Sequence, residues 1–63
     1  MAPHQQRVVT EKEELDDKRT KLKAFFGTEV FAGIGDAEKE RLRRQAGHMA
    51  AYSDVLAERI AAF

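Results

Sequence analysis

Apolar residues recur at seven-residue intervals in two long stretches of the chain. In residues 4–26 they fall at Val8, Leu15 and Leu22, and this stretch contains neither glycine nor proline. A seven-residue step keeps apolar side chains on one narrow face of an α-helix. The pattern predicts one long helix over about residues 4–26, with a narrow apolar seam that needs a partner surface.

Residues that favour helix ends flank this stretch. Pro3 lies where the first turn of a helix tolerates proline, and Gly27 lies where a left-handed residue commonly ends a helix. Asp36 has a side chain suited to capping the N-terminus of the next helix. These signals place a helix end near residue 26 and a helix start near residue 36.

The second seven-residue pattern lies in the C-terminal part of the chain. It includes Leu42, Met49 and Leu56, and it predicts a helix over about residues 36–62. Gly47 interrupts the good helix formers here and costs about 1 kcal/mol relative to alanine. We interpret this glycine as a place where another helix packs closely.

The connector, residues 27–35, is rich in apolar side chains for a loop. Val30, Phe31 and Ile34 would each cost about 1.5–3 kcal/mol if left in water rather than buried. We therefore expect the connector to be packed, with Thr28 capping a single helical turn.

Folding the two helices back on each other around this connector creates three apolar layers. The layers pair Leu22 with Leu42, Leu15 with Met49, and Val8 with Leu56. Between them, Lys12 and Arg19 occupy positions where a tight seam would hold apolar side chains. The expected fold class is all-α: an antiparallel two-helix hairpin that forms one domain over residues 1–63.

The hairpin is expected to self-associate. A chain of 63 residues buries only about 60% of its unfolded surface, so its core is marginal. No cysteine is present to form a disulfide, and oligomerisation is another common means of stabilising a small domain. The second helix also has more apolar surface than the first helix can cover. We therefore predict a homo-oligomeric helical bundle.

The charges are balanced. Eleven basic and eleven acidic residues give a formal net charge of zero, which argues against a general DNA- or RNA-binding protein that must neutralise many phosphates. No apolar run approaches the roughly 18 residues of a membrane span, and the N-terminus lacks the apolar region of a signal peptide. These features predict a cytoplasmic protein with no membrane partner.

No catalytic or metal-binding constellation is evident in the sequence. Ser53 is next to Asp54, but His48 is five residues away and so lies on another part of the helix surface. His4 and His48 are too far apart to share a metal ion within one hairpin. The sequence predicts a protein that is not an enzyme and holds no cofactor.

Two groups of hydrogen-bond donors near the seam are candidate ligand sites. Lys18 and Thr20 combine a cation with a hydroxyl, which suits a phosphate oxygen together with a base or ribose edge. The donors expected to converge at the other end of the hairpin are His4, Gln5, Arg7 and Arg59, with Ser53 about two turns away. Salt bridges at the rim are the alternative interpretation, for instance between Lys18 and Glu14.

Several segments match those of a known family. In chain order they are QQRVV, EKEELDDK, KLKAFF, LRRQ, MAAYSDVL and ERI. Through these segments, which span nearly the whole chain, the sequence resembles the helical-hairpin proteins with which bacteriophages counter the CBASS and Thoeris defences.

The resemblance implies a sponge, a non-enzymatic protein that sequesters the cyclic oligonucleotides made by the host as immune signals. Such hairpins commonly assemble as a compact hexamer, with pockets for cyclic dinucleotides at protomer boundaries and separate pockets for cyclic trinucleotides. By the resemblance, Lys18 and Thr20 grip the dinucleotide, while Arg59 and residues near His4 and Ser53 contact the trinucleotide. The implied partners are cyclic oligonucleotides and further copies of the chain, in the cytoplasm of the infected bacterium.

Two positions depart from the family pattern. Relatives carry an aromatic residue near the start of the first helix, where Pro3 or His4 stands here, and an apolar residue where this chain has Arg19. The alternative hypothesis is a phage hairpin with a structural or protein-interaction role and no nucleotide ligand.

Overall fold

The computed structural model describes all residues from Met1 to Phe63 and contains three helices. They are α1 (Pro3–Phe25), α2 (Glu29–Gly33) and α3 (Asp36–Ala61). Placed end to end, α1 and α3 would extend over roughly 70 Å, whereas the molecule measures 46 × 15 × 13 Å. The two long helices therefore lie side by side and antiparallel, and they pack on each other. The prediction of an all-α hairpin is confirmed, and assembly of several chains stays a prediction.

The first helix ends differently from the prediction. Gly27 is not left-handed, because no glycine in the chain has a positive φ, and the helix is closed by Phe26 in the right-handed conformation. The carbonyls left free at the helix end accept hydrogen bonds from a tightened turn: Gly27 N–H donates to Ala24 O at 3.2 Å, and Thr28 N–H donates to Phe25 O at 3.0 Å. Because these bonds satisfy the last carbonyls, no left-handed residue is needed.

The start of α3 also differs by one residue from the prediction. Gly35 is the N-cap, with φ −66° and ψ 153°, and Asp36 is the first helical residue. The Asp36 side chain makes no capping hydrogen bond. Asp36 and Glu38 instead place carboxylates in the first turn, where the helix dipole favours negative charge.

The connector folds as expected around Thr28. Phe31 N–H donates to Thr28 Oγ1 at 3.2 Å, which caps the five-residue helix α2. Phe31 is buried against Phe25 and Phe26, with ring centroids 5.9 Å and 5.0 Å apart. The expectation that the connector is packed is therefore correct for Phe31, whereas Val30 is 66% exposed.

Two cations cover the outer side of the buried Phe31 ring. The Lys39 ammonium lies 5.7 Å from the ring centroid, and the Arg43 guanidinium lies 5.6 Å from it. Cations at these distances are attracted to the face of an aromatic ring. The connector is thus held to the end of α1 by aromatic contacts and to the start of α3 by cation–π contacts.

The core between α1 and α3 is small. Val8, Leu15 and Leu56 are buried together, with Met49 and Ile60 packed against them. Two of the three predicted layers are present in this cluster. The third predicted pair, Leu22 with Leu42, lies outside it, and both side chains are only half-buried.

No close helix contact is found at Gly47. A Cβ placed on this residue would meet nothing within 4 Å, so no neighbouring element of the same chain requires glycine there. Close packing of a helix from another copy on Gly47 stays a prediction.

None of the three helices combines the length and the apolar character that crossing a membrane requires.

Candidate functional site

A polar network crosses the seam where the sequence leaves the apolar layers incomplete. Asp16 Oδ1 accepts hydrogen bonds from Ser53 Oγ at 2.6 Å and from Arg19 Nη1 at 3.0 Å. Asp16 Oδ2 accepts from Lys12 Nζ at 2.6 Å, and Lys12 Nζ also donates to Ser53 Oγ at 3.1 Å. Three residues of α1 and one of α3 are thereby joined into a single cluster, which we call the Asp16 network.

Helical spacing builds the Asp16 network. Lys12 and Arg19 lie four residues before and three residues after Asp16, so their side chains meet it on one face of α1. Hydrogen bonds from Lys12, then Ser53, then Arg19 lower the pKa of the Asp16 carboxyl well below its usual range. The carboxylate therefore stays charged further into acid than an ordinary aspartate does.

The network also supplies hydrogen-bond partners for a hydroxyl that is buried in the core. Ser53 is 2% exposed, and no buried side-chain nitrogen or oxygen in the chain lacks a hydrogen-bond partner. The sequence predicts the interruption of the apolar layers at Lys12 and Arg19 but not the hydrogen bonds that Ser53 makes there. It indicates only that Ser53 is at an inward position of α3, because Ser53 lies four residues after Met49 and three before Leu56.

A groove of about 370 Å³ opens beside the Asp16 network. We call it the α1 groove, and it is lined by Asp16, Arg19, Thr20, Leu22, Lys23, Phe26 and Ala46. Thr20 Oγ1 donates to the backbone carbonyl of Asp16 at 3.0 Å, which leaves its oxygen lone pairs free to accept. The groove combines two cations and a hydroxyl with an apolar wall.

Lys18 and Thr20 are separated in one hairpin. Lys18 is exposed, forms no ion pair and does not line the α1 groove, whereas Thr20 does line it. Side chains two residues apart on a helix do not face each other. The alternative salt bridge between Lys18 and Glu14 is not formed. Lys18 and Thr20 therefore do not line one groove within a single hairpin.

The second predicted group of donors lies mostly on the surface of the hairpin. His4, Arg7 and Arg59 are exposed and lie towards the end of the hairpin where α1 begins and α3 ends. None of the three forms an ion pair within the chain. Ser53 does not join them, because its buried hydroxyl is held by Asp16 and Lys12. The convergence of His4, Arg7 and Arg59, with Ser53 about two turns away, stays a prediction.

A second groove, of about 430 Å³, lies along α3 and was not predicted. We call it the α3 groove, and it is lined by Arg41, Arg44, Gln45, His48, Met49 and Tyr52. Two of its cations are already paired: Arg41 Nε lies 2.8 Å from Glu38 Oε1, and Arg44 Nε lies 3.9 Å from Glu40 Oε1. The spacing of three and four residues among the lining side chains was the available signal.

The side chains that line the two grooves are of kinds that suit the binding of a ligand. Cations and hydroxyls beside apolar walls suit ligands with both a phosphate and a flat ring. The Ser53 hydroxyl bonds to a carboxylate and an ammonium group rather than to an imidazole. No three His, Asp or Glu side chains are grouped closely enough to hold a metal ion.

Comparison with known proteins gives one match. Neither a curated protein nor a solved structure matches the chain. The model of the family described as Sequestin matches residues 2–62. That match covers both long helices and the connector, and the family name agrees with the resemblance to sponge proteins found in the sequence. The chain therefore belongs to the Sequestin family.

Proposed function

We propose that this protein is a phage immune-evasion sponge that binds cyclic di- or trinucleotide signals of the host and holds them without cleavage. It acts in the cytoplasm of the infected bacterium, and the ligands lie in pockets between copies of the chain. The observation that carries the proposal is the family match over residues 2–62, since the family name denotes sequestration.

Exposed apolar side chains support assembly of several copies. Tyr52, Val55 and Phe63 are each about half exposed, and all three lie in the last third of the chain. Burying a large apolar side chain stabilises an interface by about 1.5–3 kcal/mol. The proposed assembly is a homo-oligomer, with the hexamer favoured by the family resemblance.

The separation of Lys18 from Thr20 supports a dinucleotide pocket between protomers. A symmetric pair of chains presents each residue twice, so two lysines meet the two phosphates of a cyclic dinucleotide. Repetition around an axis also supplies matched cations from a chain whose net charge is zero. Lys18 and Thr20 are thus proposed to come from different protomers of one pocket.

The unpaired donors at the open end of the hairpin support the trinucleotide pocket. His4, Arg7 and Arg59 are exposed and have no ion-pair partner in their own chain. We assign them to this pocket. Ser53 contributes indirectly, because its hydroxyl holds α3 against Asp16 of α1 and so sets the relative position of the two helices.

The test is capture and release of the ligand. The protein is incubated with a cyclic dinucleotide and with a cyclic trinucleotide, separated from free ligand, and heated. Recovery of intact ligand is the expected result. Chemically altered ligand, or no capture of any cyclic species, would contradict the proposal.

Substitutions separate the two pockets. Lys18→Ala is expected to weaken cyclic dinucleotide binding about tenfold or more, and Arg59→Ala to weaken trinucleotide binding similarly, because each removes a charge-assisted hydrogen bond. Lys21→Ala is the matched control, since this exposed lysine of α1 is already paired with Asp17 at 2.9 Å. Calorimetry measures both ligands on all three variants. Unchanged affinity in Lys18→Ala and Arg59→Ala would refute the residue assignment.

A second candidate function is a protein-interaction hairpin. The exposed apolar residues Tyr52 and Val55 of α3 favour it, because such a face also suits a host or virion protein. This function predicts that one defined protein co-purifies with the hairpin and that no cyclic nucleotide changes its melting temperature.

A further inference from the structure

The α1 groove is a local region of positive charge on a neutral chain. Its lining contains two cations, Arg19 and Lys23, against the single carboxylate of Asp16. The whole chain carries eleven basic and eleven acidic residues. A net positive groove on a balanced chain favours an anionic ligand at this place.

The two cations of the groove differ in how much of their hydrogen-bonding capacity is used. Arg19 donates one Nη1 bond to Asp16 at 3.0 Å, and the rest of its five N–H donors are not used within the chain. Lys23 forms no ion pair and no side-chain hydrogen bond. The two side chains are four residues apart, so they lie on the same face of α1. Together the two side chains supply positively charged hydrogen-bond donors for phosphate oxygens.

The apolar wall of the groove is held in place by the connector. Phe26 lies four residues after Leu22 and three after Lys23, and its ring contacts that of the buried Phe31 at 5.0 Å between centroids. That contact limits the movement of the Phe26 side chain. The Phe26 ring therefore offers a fixed apolar surface on which a flat ring of a ligand can stack.

We propose that the α1 groove binds one nucleotide unit of the ligand, with Lys23 and Arg19 at the phosphate and the base against Phe26 and Leu22. The Thr20 oxygen accepts a hydrogen bond from an amino group of the base or from a ribose hydroxyl. The volume of about 370 Å³ lies within the range of small-molecule pockets, roughly 300–1,000 Å³. The class of ligand rests on the proposed function, and the groove adds Arg19, Lys23 and Phe26 to the residues proposed there.

The test uses the isotope-labelled protein and two probes, a cyclic dinucleotide and adenosine monophosphate. Nuclear magnetic resonance titration is expected to shift the amide signals of Thr20, Lys23 and Phe26 with both probes. Calorimetry then compares Lys23→Ala, which leaves the Asp16 network intact, with the parent. We expect affinity for the cyclic dinucleotide to fall about tenfold.

Three further variants separate a loss of charge from a loss of folding. Arg19→Ala removes the cation and Arg19→Lys keeps it, and we expect Arg19→Lys to retain more affinity than Arg19→Ala. Lys21→Ala removes one positive charge from α1 outside the groove, as Lys23→Ala does inside it, and is expected to bind like the parent. Thermal melting by circular dichroism confirms that each variant is folded.

The outcomes distinguish the groove from the proposed function. If the parent captures a cyclic dinucleotide but Lys23→Ala binds it equally well, the groove proposal is overturned and the sponge function stands. If no cyclic nucleotide binds while adenosine monophosphate shifts the groove signals, the groove proposal stands and the sponge function falls. If neither probe shifts these signals, the groove proposal is overturned.

Discussion

Asp16 shows how one residue can replace a missing apolar layer. Its carboxylate accepts hydrogen bonds from two neighbours on its own helix and from Ser53 on the opposite helix. The side chains of Lys12, Asp16 and Arg19 remain 27–38% exposed, so solvent screens their ion pairs. The network therefore specifies how α1 and α3 align more than it adds to stability.

The lowered pKa of Asp16 predicts a pH dependence of stability. The folded-state pKa lies below the unfolded value of about 3.9. Between the two values the unfolded chain binds more protons, so acid favours unfolding. The contribution is fully present above about pH 5 and is lost as the pH falls through about 4 and below. Urea unfolding of the parent and Asp16→Asn is expected to show a stability difference at about pH 7 that shrinks at about pH 3.

Asp17→Asn is the control for this measurement. Asp17 is an exposed carboxylate on the same helix and pairs only with Lys21. We expect it to change the free energy of unfolding less than Asp16→Asn does at neutral pH, since surface pairs contribute little. A stability difference between the parent and Asp16→Asn that stays constant from neutral to acid pH would contradict the role given to the carboxylate.

The residues of the candidate site were only partly predictable from sequence. Lys18 and Arg59 could be identified as candidate hydrogen-bond donors, because charge and helical position are visible in the chain. Helical spacing did not show that Lys18 is unpaired, since Glu14 lies four residues before it and yet forms no ion pair with it. The contacts of Ser53 could not be predicted, because a serine at an inward position can be a weak core residue or a hydrogen-bond partner. The choice depends on Asp16, 37 residues away in sequence, and such a contact exists only once the hairpin is closed.

At the level of the elements, the short helix α2 depends on one side chain. Thr28 Oγ1 accepts from Phe31 N–H at 3.2 Å and donates to Phe25 O at 2.7 Å. The hydroxyl thus joins the end of α1 to the start of α2. Since Phe31 is the buried residue of the connector, losing the cap loosens the packing at this end of the hairpin.

Thr28→Ala is expected to destabilise the protein by about 1 kcal/mol, the usual cost of removing an N-cap. Thr28→Ser keeps the hydroxyl and is the matched control, with a smaller expected loss. Chemical denaturation monitored by circular dichroism measures both. Equal stability of the parent and Thr28→Ala would mean that Phe31 holds the connector without the cap.

The elements themselves were more predictable than their ends. A seven-residue apolar step over more than twenty residues has few interpretations other than a helix, and both long helices were found from it. The ends depend on backbone hydrogen bonds, which residue type specifies weakly. Gly27 lies in a turn closed by its own N–H group and that of Thr28, and Asp36 is the first residue of the helix that Gly35 caps.

The whole molecule is elongated and buries few apolar side chains. Its Cα radius of gyration is 14.6 Å, whereas a compact chain of this length has about 11 Å. Only four apolar residues are buried, namely Val8, Leu15, Phe31 and Leu56. Such a hairpin is expected to fold fully only with other copies, so its stability depends on concentration.

Val55→Asp tests this dependence. Val55 lies on α3 and is 51% exposed in the single chain, so within one hairpin an aspartate there costs little. In an assembly that buries this position, the same carboxylate loses its hydration without a partner, which is strongly unfavourable. We expect the melting temperature of the parent to rise with protein concentration. We expect Val55→Asp to sediment as a smaller species and to melt at a lower temperature that does not depend on concentration.

Thr10→Asp is the control, because it adds the same charge at an exposed polar position of α1. It is expected to assemble like the parent. A parent protein that sediments as a fully helical 7.1 kDa monomer would refute the assembly, because the hairpin would then be stable with its apolar residues in water.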